Sequence, residues 1–376
     1  MDLAEHDDER MLRETVRGMF ADLVSADRVR EIRERPDCFD SELWPRVVGL
    51  DVLTMLAAPP HGLGLGLAAG AAVAEETGRV LAVVPIASSL VAGWLADGFG
   101  SEAQREQILG ALGTGEVRYT VSAPAGTGEE DPLRAVSTGP WILTGRRTLV
   151  RDVVGADEIL CVVPVDDSGA VTIVVRPDDP GVRITPQRTA GFQREGVIEL
   201  SDVRVPADRV LPGRLADHAL ARLRALQVIL EGAELGGACS RVLDLATRHA
   251  ASRQQFGRPI GSFQSVQHRL VDALLDLDGL VWLTRRAATA FDTGAEDAVF
   301  LSACLGVVLS SAPRRILAAA HQVHGGVGFV RDHPLHMYFG RERAAALTVG
   351  PLRVARERIA HQLFDTDSPP DWTERL

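Results

Sequence analysis

Apolar residues recur every three or four positions through "DDERMLRETVRGMFADLV", near the start of the chain, which is the spacing of an amphipathic helix. "GLAAGAAVAEETGRVLAVVPIASSLVAGWLA" continues the helical pattern with Pro85 marking a break, and "SEAQREQILGALGTGE" adds another helix with Ser101 as its N-cap. Between about Val117 and Pro212 the texture changes. "VRYTVSAP", "WILTGRRTLV", "EILCVVPV", "AVTIVV", "GVRITP" and "EGVIELSDVRVP" are short β-type runs separated by Gly, Pro and Asp, as in a sandwich or barrel. Helical periodicity returns in long pieces, roughly Leu215 to Ser252, Ser265 to Ala290, Ala295 to Val323 and Glu342 to Phe364, which would pack as a bundle. The expected class is therefore α+β in three parts: a helical domain over residues 1–115, a middle β domain over 116–212 and a helical bundle over 213–376, ending in a loose tail "DTDSPPDWTERL".

The 376 residues, 46% hydrophobic and 24% charged, can build a large core. A net charge of -11 argues against nucleic acid or an anionic membrane as partner, because both are met by clustered positive charge. Every basic residue among the 40 is arginine, which excludes Schiff-base, pyridoxal phosphate and lysine P-loop chemistry. Cys38, Cys161, Cys239 and Cys304 are scattered without a CxxC, so reduced core thiols and a cytoplasmic location are expected. The start "MDLAEHDDERMLRETV" lacks the features of a signal peptide, and no uninterrupted apolar span of ~20 residues stands out.

Several motifs fall away on context. "HGLGLGLAAG" follows no strand, so its glycines do not make a dinucleotide fingerprint, and no GxSxG elbow occurs. "HQVH" (His321, His324) and "HPLH" (His333, His336) have metal-like spacing but no acidic or thiol co-ligand at suitable distance, so no metal site is expected. "ASRQQFGRPIGSFQSVQHRL" is more specific. Arg253 ends a long helix, Phe256-Gly257 makes a break, and Gln264 opens the next helix. A guanidinium, an aromatic face and an amide together suit a diphosphate joined to an aromatic base. "QVHGGVGF" adds Gln322 and a Gly325-Gly326 turn where backbone amides can approach an anion.

RxxFG with its following Gln, QxxGG about seventy residues on, "AVAEETGR" near the start and "VGFVRDHPLHMYFGRERAAALTVGPLRVARERIA" near the end together resemble the acyl-CoA dehydrogenase family over nearly the whole chain. The resemblance implies an N-terminal helical domain, a middle β domain, a C-terminal four-helix bundle and FAD as cofactor. It further implies that Arg253, Phe256, Gln264, Gln322, Gly325 and Gly326 grip the adenosine diphosphate half of an FAD held mainly by the neighbouring subunit.

The catalytic positions depart from that pattern. The family's glutamate, which takes the thioester α-proton, corresponds to Val349 before Gly350; the alternative family position, 26 residues before Arg253, holds Gln227. Neither is a base. Glu231 lies one helical turn from Gln227 and is a substitute candidate, its plain alternative being a solvated or ion-paired helix glutamate. The flavin-side segments correspond to Ser122, Ala123 and Pro124 and to Leu149, Val150 and Arg151, none of which keeps the family's residues. The ring side and the base are degraded while the adenosine side is intact. That sorting resembles the base-lacking subunit of the family's mixed α2β2 members, which shorten steroid side chains as acyl-CoA esters; the resemblance implies a glutamate-bearing homologue as partner and no catalytic residue in this chain. The rival expectations are a homo-oligomeric flavoenzyme acting on a carrier-bound acyl group with Glu231 or a substrate group as base, and a flavin-free scaffold.

Overall fold

The computed structural model describes residues 5–124, 132–137, 139–165, 169–191, 194–349 and 352–364. Helices α1 (Asp7–Leu23), α2 (Ala26–Glu34), α3 (Trp44–Val48), α4 (Gly66–Val80), α5 (Ile86–Phe99) and α6 (Glu102–Gly113) form the first layer. Ser101 caps α6 as its sequence implies, its hydroxyl accepting from the Gln104 amide while the Gln104 side chain returns to the Ser101 N–H. Strands β1 (Tyr119–Ser122), β2 (Arg134–Ser137), β3 (Trp141–Val150), β4 (Glu158–Pro164), β5 (Ala170–Val175), β6 (Val182–Pro186) and β7 (Gly196–Val205) follow. The chain closes with α7 (Asp217–Ser252), α8 (Gln264–Asp292), α9 (Ala298–Leu309), α10 (Ala312–His324), α11 (Leu335–Thr348) and α12 (Leu352–Phe364).

The strands form two sheets, ordered β1-β4-β5 and β2-β3-β7-β6. Their facing sides make one core from Ile159, Cys161, Val163 and Ile173 of the first sheet with Leu143, Ile198 and Leu200 of the second. Alternate residues of the same strands, Leu160, Val162 and Val174, join the helical core that reaches α5 and α7. This explains why "EILCVVP" reads as a continuous apolar run rather than an alternating one: β4 is buried on both faces. The β domain is thus a sandwich clamped by helices on one side.

Helix α7 is the central strut, packing on α4, α8, α9, α10 and α11. At its crossing with α4 the two backbones touch. A Cβ on Gly78 would lie 1.9 Å from the Glu234 carbonyl oxygen, and one on Gly237 would lie 1.8 Å from that of Glu75. The sequence pattern predicts one helix over Ala295 to Val323, but the chain breaks at Ser310-Ser311, and Pro313 sits in the first turn of α10. By length and apolarity the helical run Ala298–Phe329 meets the requirement for a membrane span, contrary to the expectation from the sequence; it is broken in the middle and its halves pack on α7 and α8. The Gly350-Pro351 pair, residues 125–131 and the tail from residue 365 lie outside the described residues.

Gly237→Ala is expected to destabilise the protein by about 1–3 kcal/mol, because helix backbones must separate to admit the methyl group. Gly279→Ala, on an exposed stretch of α8 with nothing within 4 Å of the new Cβ, is expected to stabilise it by about 0.5–1 kcal/mol. Thermal unfolding of the two variants checks the contrast; equal effects would contradict the close crossing.

Candidate functional site

Two sites lie along α7, one against its first half and one beyond its C-terminal end. The first is a cavity of about 470 Å³ between the β domain, α5, α7 and the end of α11. Gln227, Val349, Ser122 and Leu149 all line it, so both positions where a base is expected from the resemblance converge on one space, together with the segments expected beside the flavin ring. Glu231 is the carboxylate among its described lining residues.

That carboxylate is committed elsewhere. The register of β3 against β7 shifts between Arg147 and Val150, and Leu149 takes a left-handed φ of 54°. Gln187 accepts from the Leu149 N–H at 2.8 Å, and Asp152 is also left-handed, at φ 55°. A bulge of this kind redirects side chains, here turning Arg151 inward from the strand end. Its guanidinium donates to Glu231 at 3.0 Å and to the two Glu234 oxygens at 2.6 and 2.8 Å. Arg341, from α11, closes the ring by donating to Glu231 at 2.6 Å and to Glu234 at 2.5 Å. Glu231, Glu234 and Arg341 are buried. Burial pushes the Glu234 carboxyl up, but Arg151 and Arg341 outweigh it and hold the group below its ordinary range. Burial likewise lowers Arg341, and Glu231 with Glu234 raises it on balance. Both oxygens of Glu231 accept from arginine, an arrangement that opposes the use of Glu231 as a proton acceptor.

The second site is on the surface. After α7, Gln254–Gln255 and Arg258–Pro259 pair as a two-residue hairpin with Phe256 and Gly257 at its tip, at φ 54° and 78°. Positive φ at both tip residues is the twist such hairpins need, but at phenylalanine it costs on the order of 1–2 kcal/mol. Phe256 is also 92% exposed. A strained aromatic held out in solvent points to a ligand or partner. Arg253, Gln264 and Gln322 are exposed as well. Gly325 has φ 60°, and a Cβ on Gly325 or Gly326 would meet nothing within 4 Å. His249 and His324 stack at 4.7 Å, tying the end of α7 to the end of α10 and so bringing the two turns together. His324 Nδ1 donates to the Ala320 carbonyl at 2.8 Å, and its ring lies 4.7 Å from that of His333. Among the described residues no group of His, Cys, Asp and Glu is arranged to hold a metal ion.

Residues 6–116 match the acyl-CoA dehydrogenase N-terminal domain and residues 215–364 the acyl-CoA dehydrogenase C-terminal domain. The chain belongs to the acyl-CoA dehydrogenase family. Acyl-CoA dehydrogenase FadE27 of Mycobacterium tuberculosis is 35% identical over 353 residues, covering 90% of this chain and 92% of the relative. Among solved structures, the ChsE4-ChsE5 complex of Mycobacterium tuberculosis matches with a TM-score of 0.89 at 30% identity, covering 98% of this chain and 100% of that one. A variant of the Tcur3481-Tcur3483 steroid ACAD matches with a TM-score of 0.84 at 26% identity, covering 94% of this chain and 97% of that one.

Against the family's FAD, the two sites fit unequally. The surface site offers a guanidinium, an open aromatic face and an uncovered glycine turn, which suit a diphosphate and a flat base. At the cavity, the segment expected from the resemblance to lie beside the ring is Leu149, Val150 and Arg151, and the Arg151 side chain is spent in the charge ring. Sequence reasoning identifies Glu231 by its helical spacing but not its partners, because Arg341 is 110 residues away and Arg151 is 80.

Arg341→Met is expected to destabilise the protein by about 3–5 kcal/mol by leaving two buried carboxylates short of countercharge. Because the folded-state pKa of Glu234 is depressed, its stabilising contribution is full above its unfolded pKa of about 4.3 and is lost as pH falls through the folded value. Urea unfolding of Glu234→Gln from neutral pH down to strongly acidic pH is therefore expected to show a shallower acid limb than the wild type; an unchanged slope would rule out the charge ring as its source.

Proposed function

We propose that this chain is the subunit of a heteromeric, FAD-dependent acyl-CoA dehydrogenase that lacks the catalytic glutamate. Its role is to hold the adenosine half of an FAD whose reactive ring lies in a glutamate-bearing partner. The observation that carries this reading is that Val349 and Gln227 share one cavity in which the carboxylate among the described lining residues, Glu231, is bound by two arginines, so among the described residues no unengaged carboxylate stands there to take a thioester α-proton. Likeness to the two solved complexes above supports an unlike partner and a steroid-bearing acyl-CoA as substrate class.

When bound, FAD supplies the hydride acceptor for α,β-desaturation of the thioester. This chain's residues act at the other end of the cofactor. Arg253 would hold the diphosphate, Phe256 would offer a stacking face, Gln264 and Gln322 would offer amide contacts, and Gly325-Gly326 would offer backbone N–H groups. From Gln227 to Arg253 the helix rises ~39 Å at about 1.5 Å per residue, beyond the span of one dinucleotide. The clamp therefore serves a neighbour's pocket rather than its own chain's.

Co-purified with its partner, the complex is expected to contain one flavin for each pair of unlike chains. Arg253→Ala in this chain is expected to lower flavin retention on gel filtration at least about tenfold, the loss of a charge-assisted contact of about 1.5–3 kcal/mol. Two flavins per pair, or full retention in the variant, would count against the proposal. Val349→Glu is expected to give this chain no turnover in a complex whose partner glutamate is replaced by glutamine, because Arg151 remains at the ring position.

A further inference from the structure

The cavity lined by Val349 and Gln227 also carries positive charge. Arg224 from α7 and Arg358 from α12 both line it, and both also line a smaller adjoining cavity with Val349 and Ser302. Each is half-buried, and among the described residues neither is hydrogen-bonded or ion-paired to a carboxylate. Burial and then repulsion from Arg358 push Arg224 down, with Asp217 two turns back on α7 opposing weakly; burial alone lowers Arg358. Of the other charged groups at the cavity, Glu231 is fully used by Arg151 and Arg341, Arg146 reaches Glu199 at 3.5 Å, and Arg147 donates to the Ser122 carbonyl at 2.7 Å.

Two like charges drawn out of water toward each other are unfavourable unless an anion joins them, and a pair of guanidiniums matches an oxyanion held between them. Val91, Val121, Leu149 and Val228 supply apolar lining to a space of about 470 Å³ that Ser88, Ser122, Thr148 and Gln227 also line. Apolar side chains beside a cationic pair suit an amphipathic molecule with one charged head.

We propose that this cavity is a binding site for an apolar monocarboxylate, its body against Val91, Val121 and Val228 and its carboxylate between Arg224 and Arg358. The site is non-catalytic, and a free acid of this kind is the hydrolysed form of an acyl thioester. The proposal rests on the reading that no flavin ring occupies this cavity.

The test is calorimetric titration of the full chain, co-purified with its partner, using dodecanoate, dodecanol and inorganic phosphate as probes. Saturable dodecanoate binding is expected, weakened at least tenfold in the Arg224→Gln, Arg358→Gln double variant and retained within threefold in Arg358→Lys, which keeps the charge. Dodecanol is expected to bind wild type and double variant alike. Equal dodecanoate affinity in wild type and double variant would overturn the proposal, as would phosphate binding as tightly as dodecanoate, which would mark a simple anion site. Flavin per pair of chains is measured on the same samples. Two flavins per pair would sink the partner-subunit reading, whereas one flavin per pair with no arginine-dependent dodecanoate site would sink this inference alone.

Discussion

Four buried side chains, Arg151, Glu231, Arg341 and Glu234, decide what the rest of this chain can do. They join the end of β3 to the middle of α7 and to α11, so the β domain and the bundle meet through alternating charges. Such a ring adds little net stability over apolar packing, yet removing one member leaves charge stranded in a low dielectric. It therefore favours a single arrangement. The bulged, left-handed Leu149 and Asp152 that flank Arg151 store local strain, and the charge ring is what holds that segment in place. One chemical consequence follows directly: a carboxylate whose oxygens already accept from both arginines would have to give up one of those hydrogen bonds to take a proton.

The same helix carries a second, different site at its far end. There the backbone is also strained, at Phe256, but the strain presents an aromatic face to solvent rather than burying a charge. The His249–His324 stack fixes the ends of α7 and α10 to each other, so two turns far apart in sequence act as one surface. Along one helix, an inward stretch is locked by charge and an outward end is open to solvent. A chain built this way is suited to completing a site in another subunit.

Much of this is legible in the sequence. The order of helices, strands and helices follows from periodicity, and the double burial of β4 is visible in "EILCVVP" as a run without polar interruption. RQQFG and QVHGG are readable because each combines a helix end, a glycine and chemically distinct side chains within a few residues. The charge ring is not readable, since helical spacing marks Glu231 as facing Gln227 but says nothing of Arg151 or Arg341, which reach it only through the tertiary fold. The pairing of Arg224 with Arg358 is hidden for the same reason. The break between α9 and α10 escapes a pattern-based reading because serines and a first-turn proline do not interrupt an apolar pattern, and the stretch expected as one helix over Glu342 to Phe364 belongs to two, α11, which begins earlier at Leu335, and α12 from Leu352.

The central claim is that the chain cannot assemble a working flavin site by itself. Its most direct test is to express it alone at full length and record the visible flavin absorbance of the purified protein together with acyl-CoA turnover. The account requires a folded, colourless protein with no turnover. A yellow protein that desaturates an acyl-CoA thioester without a partner would contradict it.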